Sequence, residues 1–210
     1  MRTVKNEIPV FPLGTVLFPG GPLPLRIFEP RYLDMVSDCL RSERPFGVCL
    51  IRTGKEVGEP AEPHRTGTLA RIADWGKDDR GILTIEAAGA TRFRLVETRI
   101  APDRLLLGTC EPVEEERAAI PAAYRPLARL ARTLIGRLET RYRHVPAPPP
   151  EDSPDAAAWT GFRLAELLPI PMPHRQHLLE LDDPVARLRR IDQVVALMAE
   201  AARSDESESG

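Results

Sequence analysis

The sequence predicts an α+β chain, rich in strands up to about residue 117 and helical from residue 118 to about residue 203. Three observations predict it. Residues 4 to 117 carry short apolar runs, local alternation and Gly and Pro punctuation, which mark strands and tight turns. After the acidic run Glu114-Glu115-Glu116 the apolar spacing changes to three and four residues, the period of a helix face. The 22 prolines among 210 residues are roughly twice the ordinary share of about 5%, which favours many short elements joined by stiff turns.

The first stretch, Ile8 to Met35, reads IPVFPLGTVLFPGGPLPLRIFEPRYLDM. Pro9, Pro12, Pro19, Pro22 and Pro24 remove backbone donors and so confine strands to edges, bulges or starts, while Phe11, Leu13, Val16, Leu17, Phe18, Leu25, Ile27 and Phe28 supply apolar anchors. This predicts two short strands around a loop at Phe18 to Pro22. A helix follows over Glu29 to Leu40, opened by an acid and a proline and placing Tyr32, Leu33, Val36, Cys39 and Leu40 on one face. Phe46 to Ile51 is an apolar run of buried-strand length. Leu69 to Trp75 and Ile82 to Ala87 flank the polar connection Gly76 to Gly81 and predict a hairpin. Phe93 and Leu95 alternate with Arg92 and Arg94, the pattern of a strand with one buried and one solvated face. Leu105 to Cys110 predicts the last strand.

In the second half, Tyr124, Leu127, Leu130, Ala131, Leu134 and Leu138 form one face of a helix over Pro121 to His144. The proline run in Val145 to Asp152 must interrupt it and form a connector. Ser153-Pro154 and Asp183-Pro184 both read as N-cap followed by first-turn proline. The helix opened by Asp183 shows Leu188, Ile191, Val194, Val195 and Met198 at helical spacing and is expected to end before a disordered tail, residues 204–210.

Composition excludes several function classes. A formal charge of −2 gives no general attraction to nucleic acid or membrane. Only Lys5, Lys55 and Lys77 among the 29 basic residues are lysines, which leaves few candidates for lysine chemistry. Cys39, Cys49 and Cys110 fit neither a disulfide framework nor a zinc ribbon, and they read as structural thiols in a reducing compartment. The start MRTVKNE lacks a secretory apolar stretch, so a cytoplasmic protein is expected. Gly54-Lys55 and Gly76-Lys77 lack the rest of a phosphate-binding loop, and no nucleophile elbow or zinc-protease motif occurs. His174, His177 and Glu180 have helical spacing but no evident third partner for a metal, so no metal or cofactor is expected. Arg125, Arg129, Arg132, Arg137, Arg141 and Arg143 form a stripe able to track phosphates, or a solvated face paired with acids.

The segments Pro9 to Leu13, Leu17 to Gly20 and Leu23 to Tyr32 closely resemble the PLFPL, LFPG and LPLRIFEPRY segments that open the LON substrate-binding domain of Lon proteases, with Val10 where leucine is common. The resemblance continues through Phe46-Gly47-Val48, Gly67 to Ile72, Gly89 to Leu95, Leu168-Pro169 and Gln176 to Glu180, so it runs from about residue 8 to 200.

That resemblance implies a PUA-like, twisted and partly closed β-barrel followed by a C-terminal helical bundle. It implies recognition of exposed or unfolded polypeptide without catalysis, in protein quality control and alongside a separate protease or chaperone; the length leaves no room for ATPase and peptidase modules. Leu13, Phe18 and Leu23 of the proline-rich entry and Trp75 beside the hairpin are the candidate peptide-binding residues, although Leu13 and Phe18 suit a barrel core better and Trp75 is the better exposed-aromatic candidate. RNA binding through the arginine-rich helix is the alternative, since PUA-like barrels also host RNA-binding modules, a fold-level analogy only.

Overall fold

The structure is a computed structural model that describes residues 7–137 and 148–208. In chain order the strands and first helix are β1 (Glu7–Leu13), β2 (Pro22–Ile27), α1 (Pro30–Ser42), β3 (Phe46–Thr53), β4 (Glu62–Pro63), β5 (Thr66–Lys77), β6 (Leu83–Ile100) and β7 (Leu106–Pro112). A 3-10 turn at Ala122–Tyr124 leads into α2 (Arg125–Gly136), followed by α3 (Ala156–Leu167), α4 (Met172–Glu180) and α5 (Pro184–Glu208). The described residues up to Glu114 form one compact unit and those from Glu115 on form another.

In the first unit the strand pairings run β1-β7-β6-β5-β3 and return to β1, so the sheet is ring-like; all of these pairs are antiparallel except β1 with β3. Glu7–Val10 pair with β7, whereas Val10–Leu13 pair with β3. Each half of β1 therefore has one bonded side, and Pro9 and Pro12 sit where the missing N–H breaks no ladder. The short β4 adds to β3, and β2 adds to β6.

The apolar run of β3 buries both faces. Phe46 and Val48 join Phe11, Leu13, Tyr32, Met35 and Val36 in one core cluster, while Cys49 joins Val10, Phe93, Leu95 and Leu106 in a second, drawn from four ring strands. This is why Phe46 to Ile51 does not alternate. Gly67 permits the close approach of β5 and β3, because a Cβ there would stand 2.3 Å from the Val48 carbonyl oxygen and 2.5 Å from Cys49 Sγ.

Helix α1 buries Tyr32, Met35, Val36 and Cys39, and leaves Leu33 and Leu40 exposed. The predicted face was thus rotated, because stacking of Tyr32 on Phe11, with centroids 3.8 Å apart, turns Met35 inward. A second correction concerns Arg92, which is fully buried although its alternation predicts a solvated side chain. The register of β5 against β6 slips between Thr68 and Ala70, opposite Arg92 and Gly89, and an irregularity of this kind shifts the phase of inward and outward residues.

In the second unit α2 ends at Gly136, well short of His144, and residues 138–147 lie outside the described residues. So do Val145 to Ala147 of the predicted connector, whose Pro148–Pro150 carry no regular structure. The next helix starts at Ala156, later than Ser153-Pro154 predicts, because the Ser153 hydroxyl accepts from the Asp155 amide within a turn. Asp183 does cap α5, accepting from the Val185 amide at 2.7 Å. That helix runs on through residues 204–208, where a disordered tail was expected; the alanine-rich approach Ala199 to Ala202 favours helix, and Ser204 bonds back to the Glu200 carbonyl. The unit buries several polar side chains, Thr160, Arg163, Gln176 and Arg187 among them. Arg187 is fully buried, lies 4.0 Å from the Phe162 ring centroid and donates to the carbonyls of Leu178 and Leu181.

Candidate functional site

Of the four residues singled out in the sequence, only Trp75 is exposed, at 59%. Phe18 and Leu23 are buried among the core residues and present almost no surface. Leu13 is also buried but lines a cleft of about 260 Å³. The structure therefore separates the four: two stand in the core, and two border different clefts.

Those clefts share Pro24, Leu25 and Arg26 of β2. The register explains how they arise. Across β5, β6 and β2 the residues align in rows: Asp74–Glu86–Pro24, Trp75–Ile85–Leu25 and Gly76–Thr84–Arg26. Side chains alternate between the two faces of a sheet, so the middle row shares the face of the core residues Ile27 and Ala87, and the outer two rows share the opposite face. Trp75 thus continues the core-facing apolar row to a rim where most of its surface stays exposed.

The first cleft, about 460 Å³, is lined by all three rows. Gly76 contributes no side chain there, and Asp74 and Glu86 bring two carboxylates. Its end is tied down by Asp78, whose carboxylate accepts the amides of Arg80 and Ile82, each at 2.9 Å, and the guanidinium of Arg26. The bond from the Ile82 amide, then those from Arg80 and Arg26, hold the Asp78 carboxyl below its ordinary value.

The second cleft has Leu13 and Tyr32 in its floor and the exposed Phe28 and Val57 at its mouth. Glu56 fastens the adjoining loop by accepting the Gly14 amide, and Glu29 accepts from Arg31 at 2.7 Å. Burial pushes the Tyr32 phenol up, against the opposing effect of the Arg31 charge. Phe28 was expected among the apolar anchors of the core but stands exposed, and Val57 was not singled out in the sequence. The signal was there: Leu23, Leu25 and Ile27 alternate inward, which puts Phe28 in the outward phase, and Val57 is a lone apolar residue between Gly54 and Gly58.

The free side of β2 is a poor acceptor of another strand. Pro22 and Pro24 cannot donate, so bonding to β6 falls to Leu23, Leu25 and Ile27, in phase with the Gly89 amide bonded to Gly21. The other side then offers at most the Arg26 amide as a donor.

The thiols are set for packing. Burial and the Asp38 charge push Cys39 up to about 11, and burial and Cys110 push Cys49 higher still. Among the described residues no group of three or more His, Cys, Asp or Glu side chains is placed to hold a metal, and no helix is long and apolar enough to cross a membrane. On α2, Arg132 donates to the Pro149 carbonyl and Arg125 stands 3.8 Å from Glu151, so part of the arginine stripe is occupied within its own unit; Arg141 and Arg143 lie outside the described residues.

The family model for the ATP-dependent protease La (LON) substrate-binding domain matches residues 7–196. The chain belongs to this LON domain family. Its LON domain is similar to the Lon N-terminal domain protein from Xanthomonas campestris, with a TM-score of 0.72 and 35% identity over 91% of this chain and 98% of that one. It shares the fold of the N-terminal domain of the Mycobacterium avium complex Lon protease, with a TM-score of 0.59 and 15% identity over 89% of this chain and 96% of that one. Lon protease 2 of Myxococcus xanthus is 28% identical over an alignment 197 residues long that covers 90% of this chain and 23% of that protein. The LON domain chain thus spans about a quarter of the length of the Lon proteases it matches. It also matches cereblon of Gallus gallus, 32% identical over an alignment 134 residues long that covers 54% of this chain and 29% of cereblon. Similarity to these substrate-binding domains supports a substrate-recognition role for this one.

Proposed function

We propose that this LON domain recognises exposed or unfolded polypeptide without catalysis, holding apolar side chains against the rim formed by Trp75 and the mouth formed by Phe28 and Val57. The observation that carries the reading is the uncovered Trp75 at the end of a row whose other members, Ile85 and Leu25, pack in or against the core. An aromatic ring in that position offers a large apolar area at little conformational cost. The donor-poor free side of β2, where Pro22 and Pro24 lack amides, favours capture by side chains over addition of a strand. In this reading the ring is a PUA-like barrel, the second unit is a helical bundle, the protein works in the cytoplasm, and captured segments pass to a separate protease or chaperone.

The test is binding of one client protein in its reduced, unfolded form and in its native form. The unfolded form is expected to bind and the native form not to, with an affinity that survives moderate salt, because burial of apolar area is not screened. Replacing Arg129 and Arg132 together by alanine is expected to leave client affinity within about threefold, a change of under about 0.7 kcal/mol. Equal binding of both client forms, or loss of binding in the arginine variant, overturns the reading.

A further inference from the structure

We propose that residues 54–60, between β3 and β4, are a hinged strap that gates the cleft over Leu13 and Tyr32, latched shut by Glu56 and Glu59 and swung aside to admit a polypeptide segment. This inference rests on the polypeptide-recognition reading above and adds a regulating step to the same surface.

Two hinges and two latches carry it. Gly54 and Gly58 stand at φ of +106° and +98°, a region that suits glycine alone and lets the chain pivot. Among the described residues no backbone group of 54–60 bonds to another backbone group, and residues 52–59 are all exposed. A segment so lightly held opens at small cost without disturbing the sheet. Its two ends are pinned, because Thr53 pairs with Glu62 and Ala61 is buried against Gly54. Its middle is held by two carboxylates. Glu56 accepts the Gly14 amide just past the end of β1, and Glu59 pairs with Arg104. The second mooring is firm: the Arg104 amide donates to the Ala101 carbonyl, and the buried Arg31 donates to the Arg104 carbonyl at 3.2 Å. Between the latches Val57 lines the cleft beside Glu56, so the strap is one of its walls. With the strap closed the cleft holds about 260 Å³, short of the about 300–1,000 Å³ usual for pockets that engulf a ligand. Moving Val57 and Glu56 aside removes that wall and opens the floor at Leu13 and Tyr32 to a longer segment. An exposed ion pair such as Glu59 with Arg104 contributes little and is screened by salt, which suits a latch that must yield.

Latches on one strap open together, whereas two independent surface contacts do not. The test is therefore made on the intact chain at the latch that is left in place. Exchange of the Gly14 amide with water, read by NMR, is expected to quicken about threefold in Glu59→Ala, although Glu56 makes the bond to that amide. The same is expected in Gly58→Ala, where a Cβ meets nothing within 4 Å and acts only through the backbone. An unfolded client protein is expected to bind both variants about threefold tighter than the wild type, because a larger fraction of molecules is open to it. Thermal unfolding confirms that both variants are folded. Gly14 exchange unchanged in Glu59→Ala overturns the strap. Quickened exchange with unchanged or weaker client affinity overturns the gating and leaves the recognition reading standing. If neither the wild type nor the variants bind the unfolded client, the recognition reading falls, and the gating with it.

Discussion

Trp75 and Ile85 face each other across the β5–β6 pair, yet Ile85 is 1% exposed and Trp75 is 59% exposed. The same face of the same sheet is therefore core at one strand and surface at the next. A tryptophan left uncovered at the end of a core row contributes little to folding where it stands, and it is placed to contribute to binding.

Replacing Trp75 by alanine is accordingly expected to leave the midpoint of unfolding nearly unchanged. Affinity for an unfolded client should fall about tenfold, equivalent to about 1.4 kcal/mol. Paired titrations and thermal melts on the same preparation check it. A large loss of stability with unchanged binding would mark Trp75 as a core residue.

The ring depends on glycine at position 67, where a Cβ would strike the Val48 carbonyl oxygen. Gly67→Ala is expected to lower stability by about 1–3 kcal/mol through overpacking. Phe93→Ala, which empties the cluster that Gly67 borders, is expected to lower it by about 3–5 kcal/mol. Denaturant unfolding monitored by circular dichroism measures both.

Arg187 is buried and committed to two carbonyls and the Phe162 ring. Arg187→Ala removes the guanidinium from those carbonyls and from the Phe162 ring and is expected to destabilise the second unit by about 3 kcal/mol or more. Arg187→Lys should rescue only a fraction, since an ammonium lacks the planar fork. Full rescue by lysine would mean that charge alone matters.

Asp78 sets a pH dependence for the hairpin. Its folded value is lowered, chiefly by the Ile82 amide, so its contribution is complete above the ordinary aspartate value and is lost as pH falls through the lower folded value. Amide exchange at Ile82 is expected to stay slow through mildly acidic pH and to quicken only in stronger acid, and in Asp78→Asn this acid transition should vanish.

Much of this arrangement was legible in the sequence. The hairpin and Trp75 beside it followed from polar residues between two apolar runs, and the opening proline-rich motif pointed to the family now matched over residues 7–196. What was not legible came from long-range geometry. The slip of β5 on β6 that buries Arg92, and the link from Arg26 to Asp78 across 52 positions, leave no mark in local spacing. Phe18 and Leu23 carried the composition of either core or contact residues, and only the closed pairings around them decide for the core.

Trp75 and Trp159 are the two tryptophans of the chain. In a Trp159→Phe variant, the emission of Trp75 reports directly on the rim where polypeptide capture is placed. Titration with an unfolded client is expected to shift that emission to shorter wavelength, saturating at the concentration at which binding saturates, because the client excludes water from the ring. Saturable binding of the client with the emission of Trp75 unchanged would contradict the account.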